Sequence, residues 1–247
     1  MQVSAIIQVR MGSTRLPGKV MKKLNGISLL ECQLNQLQYC RLLDQIIIAT
    51  TTNPEDNIIE KFAHSKDIQC FRGSSLDVLD RYFQCAKKFN LKHIARITSD
   101  CPLIDPTIVD QTIEIYNKET YDYVNNFYKR SFPSGTEVEI ISFNTLEKTW
   151  KEAKKPSERE HVTPYIYNNP MKFKIGKLEY KKNISNLHWA VDRIEDLKLV
   201  KTLYQKINKK PILLDDILNL IKKDPSLLEI NKNTNPHEGY IKSLEEE

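Results

Sequence analysis

Apolar runs alternate with amphipathic stretches along the first half of the chain. Short apolar runs, typical of buried strands, lie at residues 3–9, 45–50, 68–71 and 93–98. Apolar residues at helical spacing separate these runs at 29–37, 76–86 and 105–116. Strands and helices in this order imply right-handed crossovers. The pattern therefore predicts an α/β fold with a mainly parallel sheet.

The second half of the chain is less regular. Strands are predicted at 121–127, 137–142, 173–178 and 188–191. Helices are predicted at 145–153, 158–167, 196–207 and 215–223, although a proline interrupts the second of them. Because no repeat or linker divides the sequence, we expect one domain over residues 1–230 and a loose polar tail over 231–247.

The loop after the first predicted strand combines cations, glycines and hydroxyls. It contains Arg10, Gly12, Ser13, Thr14, Arg15, Gly18 and Lys19. Glycines let backbone N–H groups approach a ligand, and cations neutralise its charge, so this loop suits several phosphates. It is not a Walker loop, because five residues separate the glycines and a valine follows the lysine. An ordinary surface loop with solvated cations is the alternative.

Two carboxylates follow predicted strands later in the chain. Asp100 follows the strand at 93–98, and ligands of parallel sheets bind outside the carboxyl ends of strands. A carboxylate facing phosphates suits Mg²⁺, which prefers one or two carboxylates with phosphate oxygens and water. Asp192 would meet Asp100 if residues 188–191 join the same sheet. For each carboxylate, capping of a turn or helix is the alternative.

The composition limits the class of protein. With 40% hydrophobic and 28% charged residues, the 247-residue chain has enough apolar material for a packed core. A net charge of +5 without a dense basic block argues against nucleic-acid binding. No apolar run approaches the ~20 residues of a membrane span. Five cysteines without a Cys-x-x-Cys pair predict reduced thiols, so we expect a cytoplasmic protein.

The motifs occur in the order of a known enzyme family. They are AIIQVRMGSTRLPGK at 5–19, FRGS at 71–74 with DVLDRY at 77–82, RITSDCPLIDP at 96–106, EREHVTPY at 158–165, and VD at 191–192 with EDL at 195–197. They resemble the cytidylyltransferases that activate acidic sugars, including the 3-deoxy-manno-octulosonate and acylneuraminate enzymes, and most of all the spore-coat-polysaccharide branch. The resemblance implies a three-layer α/β sandwich with a mainly parallel, Rossmann-like sheet, of the nucleotide-diphospho-sugar transferase type.

The resemblance also implies a reaction, in which an acceptor oxygen attacks the α-phosphate of CTP and pyrophosphate leaves. The implied catalytic residues are Arg15, Lys19 and Asp100, with Mg²⁺ on Asp100 and Asp192. The implied nucleotide-binding residues are Arg10, Gly12, Ser13, Thr14, Arg72, Gly73, Ser74, Ser75 and Asp77. The acceptor is expected near Glu137, Glu139, Arg159 and His161, although residues 158–161 also suit a solvated helix turn or subunit contact.

The expected product is a CMP-linked acidic sugar, such as pseudaminic or legionaminic acid, for surface glycans. The resemblance implies a homodimer, and the composition predicts no membrane or nucleic-acid partner. A phosphorylated acceptor with a CDP-linked product, or another nucleoside triphosphate, is the alternative within enzymes. A regulatory protein that binds nucleotide without turnover is the alternative in another class. Intact Lys19, Asp100 and Asp192 argue against it. Nucleic-acid binding is a weaker third alternative, which predicts salt-sensitive affinity for a polymer.

Overall fold

A seven-stranded sheet is the centre of the fold in a computed structural model that describes residues 1–235 and 238–245. The strands in these residues are β1 (Val3–Gln8), β2 (Lys23–Leu24), β3 (Ile27–Ser28), β4 (Leu43–Thr51), β5 (Gln69–Gly73), β6 (His93–Thr98), β7 (Tyr123–Asn125), β8 (Glu139–Ser142) and β9 (Ile175–Lys177). β2 and β3 form a separate hairpin, and the other strands form the central sheet.

The helices cover both faces of this sheet. They are α1 (Leu29–Leu37), α2 (Asn57–Ser65), α3 (Val78–Lys88), α4 (Pro106–Lys118), α5 (Phe143–Glu152), α6 (Pro156–His161), α7 (Pro164–Tyr167), α8 (Ile194–Lys206), α9 (Leu214–Lys223) and α10 (Glu238–Glu245). Short 3₁₀ turns occur at Lys19–Met21, Pro54–Asp56 and Pro225–Glu229. Within the described part of the chain, no helix is long and apolar enough to cross a membrane.

The strand order is β5-β4-β1-β6-β8-β7-β9. Neighbouring strands from β5 to β6 are parallel, β8 runs antiparallel to both its neighbours, and β9 is parallel to β7. The predicted mainly parallel α/β sheet is therefore confirmed. The first half of the chain supplies the all-parallel side, and the second half supplies the mixed side.

Two apolar clusters fill the space between the layers. Along β1, Ala5 and Ile7 belong to one cluster, and Ile6 belongs to the other. Successive side chains of a strand point to opposite faces, so an apolar run is required where both faces are covered. This is why the opening of the chain reads as a continuous apolar segment.

Three local expectations need correction. Leu76, expected on the buried face of a helix, is 87% exposed, because α3 begins only after Asp77, whose side chain accepts from the backbone N–H of Asp80. Residues 188–191 form no strand of the sheet; a single bridge joins His188 to Ser134. The segment expected as a loose tail contains α10. The domain boundary at residue 230 stays a prediction.

Candidate functional site

The loop after β1 is folded onto its own backbone. The carbonyl of Met11 accepts from the backbone N–H groups of Ser13, at 2.8 Å, and Gly18, at 3.0 Å. Gly18 has φ +64°, a conformation that favours glycine, and it begins the turn that carries Lys19. The Met11 N–H donates to the buried Asp56 at 2.7 Å. The loop therefore holds its cations on a fixed backbone.

Lys19 connects this loop to both predicted metal-binding carboxylates. Its Nζ lies 2.9 Å from Asp192 Oδ1 and 3.6 Å from Asp100 Oδ2, and it donates to the Val191 carbonyl at 2.7 Å. Burial alone would lower the pKa of Lys19, but the two carboxylates outweigh it and raise that pKa. Lys19 is therefore a largely buried ammonium, held in its charged form between the two acids.

Asp100 follows β6 and is held in its charged form. Its Oδ1 accepts from the Thr98 hydroxyl at 2.5 Å and from the Cys101 thiol at 3.4 Å. Burial would raise the pKa of Asp100, but the Lys19 ammonium and these hydrogen bonds hold it below its ordinary value. A partly exposed anion is therefore fixed at the carboxyl end of a central strand.

Asp192 reaches the same place without a sheet strand. The Val191 N–H donates to the Asp100 carbonyl at 2.7 Å, and the Trp189 N–H donates to the Ser134 carbonyl at 2.8 Å. The crossing is tight at Gly135, which has φ +105°, because an added Cβ would lie 2.7 Å from the Ala190 nitrogen. The expected meeting of the two carboxylates therefore occurs through loop hydrogen bonds.

Asp196, four residues further on, fixes the backbone of Asp192. Its Oδ2 accepts from the N–H groups of Asp192, at 3.1 Å, and Arg193, at 2.8 Å, where α8 begins. Its Oδ1 lies 3.0 Å from His188 Nε2. The capping role considered for Asp192 thus falls to Asp196, and the Asp192 carboxylate faces the cleft.

The charge of Asp196 should make this corner of the protein sensitive to acid. Burial would raise its pKa, but the bonds from His188, Asn231 and two backbone N–H groups lower it to about 2. A depressed pKa stabilises the fold above the ordinary value of 3.8, and this stabilisation is lost as the pH falls toward 2. Asp196→Asn should therefore lower the free energy of unfolding by about 2 kcal/mol at neutral pH.

Urea unfolding of the wild type and Asp196→Asn, compared between pH 7 and pH 2, measures this effect. The difference in unfolding midpoint should shrink as the solution is acidified through pH 4 to pH 2. The exposed Asp215→Asn is the matched control and should show little difference at any pH. A difference for Asp196→Asn that does not change with pH would contradict the assignment.

The other loop cations are paired with carboxylates from distant parts of the chain. Arg15 Nη2 lies 2.7 Å from Asp192 Oδ1, and its Nη1 lies 3.7 Å from Glu238. Arg10 Nη2 lies 3.2 Å from Glu160 Oε1. The loop, the segment around Asp192 and helices α6 and α10 thus meet at one site.

Two adjoining cavities open at this site. The first has a volume of about 230 Å³ and is lined by loop residues, among them Arg10, Ser13, Thr14, Arg15 and Lys19. The second has a volume of about 340 Å³ and extends toward β7 and α7. The residues that line both are Arg15, Arg96, Thr98, Asp100, His161 and Asp192. A ligand in each cavity would meet its neighbour at these shared residues.

Not every predicted loop residue faces the first cavity. Gly12 lies beside Glu55 instead, where an added Cβ would be 2.9 Å from Oε1. The segment 72–75 also lies outside the residues that line the two cavities. The Arg72 guanidinium donates to the carbonyls of Thr51 and Asn53, both at 2.9 Å. A role for these residues toward the base and ribose stays a prediction.

Asp77 and Arg159 form a pair outside both cavities. Arg159 Nη2 lies 2.5 Å from Asp77 Oδ2, and its Nη1 donates to the Trp150 carbonyl at 2.7 Å. Asp77 also accepts from the Asp80 N–H as the cap of α3. Both residues join α3 to α6 in this structure. Their predicted contacts with nucleotide and acceptor remain untested.

The predicted acceptor residues are divided by the structure. Glu137 and His161 line the second cavity. Burial raises the pKa of Glu137 above its ordinary value, and burial lowers the pKa of His161 to about 4, so the imidazole is neutral near pH 7. Glu139 is buried below the cavity, where it pairs with Arg96 and accepts from the Tyr123 hydroxyl.

Sequence reasoning missed two arginines of the site. Arg96, from β6, lines both cavities, and Arg81, from α3, lines the first. Arg81 is 1% exposed and donates to the Ser74 carbonyl at 2.8 Å, while its Nε has no partner among the described residues. Each arginine interrupts a run of apolar residues in the sequence. A cation at such a position is expected to be buried, which is rare without a partner, and this was the signal that could have identified both residues.

The carboxylate pair fits a hard cation. Lys19 and Arg15 both contact the same carboxylate oxygen of Asp192, Oδ1, at 2.9 and 2.7 Å. No group of three or more His, Cys, Asp or Glu suited to a metal occurs in residues 1–235 and 238–245. Two carboxylates completed by phosphate oxygens and water are the ligand set that Mg²⁺ prefers. The donor set therefore suits a cation that arrives with a polyphosphate.

A cationic loop after β1, a carboxylate after the parallel strand β6 and a second carboxylate brought beside it by a loop form a site that suits a polyphosphate with a cation. The sequence model of the cytidylyltransferase family matches residues 4–233. The chain belongs to this family.

Three comparisons give the extent of the likeness. A cytidylyltransferase structure from Leptospira borgpetersenii is 34% identical, with a TM-score of 0.89, over 96% of this chain and 100% of that one. The spore coat polysaccharide biosynthesis protein SpsF of Bacillus subtilis is 32% identical over 89% of this chain and 94% of its own length. An uncharacterised protein of Methanocaldococcus jannaschii is 38% identical over 94% of this chain and 96% of its own length.

Proposed function

We propose that this cytidylyltransferase transfers CMP from CTP to a hydroxyl group of an acidic sugar, with Mg²⁺, in surface-glycan biosynthesis. The observation that carries the proposal is the junction of the two cavities at Arg15, Asp100 and Asp192. One cavity has the cationic loop suited to a triphosphate, and the other has room for an acceptor beside it. The α-phosphate would lie at the junction, where the acceptor oxygen can reach it.

The chain's own residues supply the positioning and charge that phosphoryl transfer requires. Lys19 and Arg15 would hold the triphosphate and neutralise the charge on the departing pyrophosphate. Asp100 and Asp192 would hold Mg²⁺, which polarises phosphate oxygens when bound. These cations are held in place by the fold before the ligand arrives, so they need little reorganisation to stabilise charge in the reaction.

The lining of the second cavity includes groups that could hold an acidic sugar. Arg15, Arg96 and Arg130 contribute cations beside the carboxylates of Asp100, Glu137 and Asp192, and the rings of Tyr128 and Tyr167 contribute aromatic surface. Arg15 and Arg96 are already paired, with Asp192 and Glu139, so an acidic acceptor would have to share or replace these partners. An arginine fork binds a carboxylate in a bidentate way. This combination favours a sugar acid, and it supports pseudaminic, legionaminic or related acids as candidate acceptors.

Pyrophosphate release tests the proposal. The protein would be incubated with each nucleoside triphosphate and with one of four acids (N-acetylneuraminate, 3-deoxy-manno-octulosonate, pseudaminate or legionaminate) or a sugar phosphate, with and without Mg²⁺. We expect release with CTP, one or more of these acids and Mg²⁺. Release only with a phosphorylated sugar would favour a CDP-linked product, and CTP binding without release from any acceptor would favour a regulatory protein. The homodimer and the cytoplasmic location stay predictions.

A further inference from the structure

Helix α10 is anchored on residues of the site. The Glu238 carboxylate contacts Arg193 Nη2 at 2.8 Å and lies 3.7 Å from Arg15 Nη1. The Ser243 hydroxyl lies 2.8 Å from His161 Nε2. Contacts near both ends of the helix therefore fix it beside the two cavities.

Between these anchors, α10 presents Tyr240 to the second cavity. Tyr240 is one of the residues that line this cavity, and its ring packs edge-on against His161 with centroids 5.0 Å apart. His161 lines both cavities, so Tyr240 is packed directly on a residue of the junction. A residue near the end of the chain thus becomes part of the candidate acceptor site.

Tyr240 extends an aromatic surface that Tyr128 and Tyr167 form in the lining of the same cavity. The rings of Tyr128 and Tyr167 lie 5.5 Å apart, and both residues line the cavity. Burial, with a hydrogen bond between the Tyr167 and Tyr240 hydroxyls, raises the pKa of Tyr167. We call these three tyrosines the aromatic wall, and Tyr167 within it is a neutral phenol near pH 7.

The lining of the second cavity therefore combines two chemically different surfaces. Charged groups of Arg15, Asp100 and Asp192 lie at the junction with the first cavity. The aromatic wall presents ring faces and edges, which favour contact with C–H groups. An acceptor whose reacting hydroxyl and carboxylate lie at the junction would lay the rest of its carbon skeleton against these rings.

We propose that Tyr240 is a specificity-determining residue that contacts the carbon chain or an acyl substituent of the acidic-sugar acceptor, a role that rests on the proposed function. The contact is with the acceptor and not with the nucleotide, because Tyr240 lines only the second cavity. The ring, rather than the hydroxyl, supplies the contact surface. Loss of the ring should weaken acceptor binding and leave CTP binding as it is.

Steady-state kinetics of Tyr240→Ala and Tyr240→Phe, with the best acid of the four-sugar panel, test this role. For Tyr240→Ala we expect the acceptor KM to rise about tenfold, as for the loss of one apolar contact in a specificity pocket. The Kd of CTP, measured by calorimetry, should stay within about twofold. Tyr240→Phe keeps the ring and should keep the acceptor KM near that of the wild type.

Ile241→Ala is the matched control, since Ile241 lies on the same helix and is 45% exposed. It should change neither constant. An acceptor KM for Tyr240→Ala equal to that of the wild type would overturn the proposal, and so would an equal weakening of CTP binding. Failure of the proposed function gives a different result, because the wild type itself would then release no pyrophosphate with any of the four acids.

Discussion

Replacing Lys19 by methionine is expected to reduce kcat/KM by about 10³-fold or more, because it removes the cation between Asp100 and Asp192. Asp100 would then lose the ammonium that lowers its pKa, while Asp192 would keep its contact with Arg15 at 2.7 Å. The triphosphate would also lose a cation of the loop. We expect CTP to bind more weakly and the chemical step to slow, so the KM for CTP and kcat should both change.

The same substitution should lower the stability of the protein, by about 1–2 kcal/mol, because Asp100 loses its ammonium partner while Asp192 keeps Arg15. Urea unfolding and calorimetric CTP binding separate the two effects. Lys23→Met is the matched control, since Lys23 is exposed in the hairpin close to the loop. Wild-type CTP affinity and turnover in Lys19→Met would remove Lys19 from the site.

Asp100→Asn should abolish turnover while the fold stays intact. The substitution keeps the shape of the side chain but removes the charge that would hold Mg²⁺, a loss we expect to cost about 10³-fold in kcat. Lys19 would keep its partner Asp192, at 2.9 Å, so the protein should still fold, but its free energy of unfolding should fall because the Asp100 charge that Lys19 stabilises is lost. Pyrophosphate release and thermal unfolding measure the two quantities.

A suitable control for this substitution is Asp67→Asn. Asp67 is exposed and has φ +55°, a backbone conformation that asparagine tolerates equally well. It should show wild-type turnover. Wild-type rates in Asp100→Asn, or a reduced rate with the same dependence on Mg²⁺ concentration as the wild type, would contradict a direct role of this carboxylate in holding the metal.

The first half of the fold could be predicted because its signals are local. β1 is apolar at successive positions since both its faces are covered, and Asp105 caps α4 as its position before Pro106 suggests. The loop cations could be predicted for the same reason. They follow directly on a buried strand, so their place at the carboxyl edge of the sheet depends on no distant contact.

The second half depends on contacts between distant residues, which no local pattern records. Residues 188–191 have the composition of a strand, but their backbone makes individual hydrogen bonds to Ser134 and Asp100 instead of pairing along a strand of the sheet. Arg159 resembles a ligand clamp in the sequence, but its guanidinium forms an ion pair with Asp77, which lies 82 residues earlier in the chain. The helix that carries Tyr240 lies in a polar segment, where only its packing against His161 reveals a role.

The pairing of the loop cations has a consequence for ligand selection. Arg10 is matched by Glu160, Arg15 by Asp192, and Lys19 by two carboxylates, so the loop carries little uncompensated charge at rest. A ligand must exchange these internal partners for its own anionic oxygens. A triphosphate can replace several at once, whereas a single orthophosphate or sulfate replaces only one. The loop without a ligand therefore favours ligands that carry several negative charges close together. We expect inorganic phosphate to compete poorly with the nucleotide for this loop.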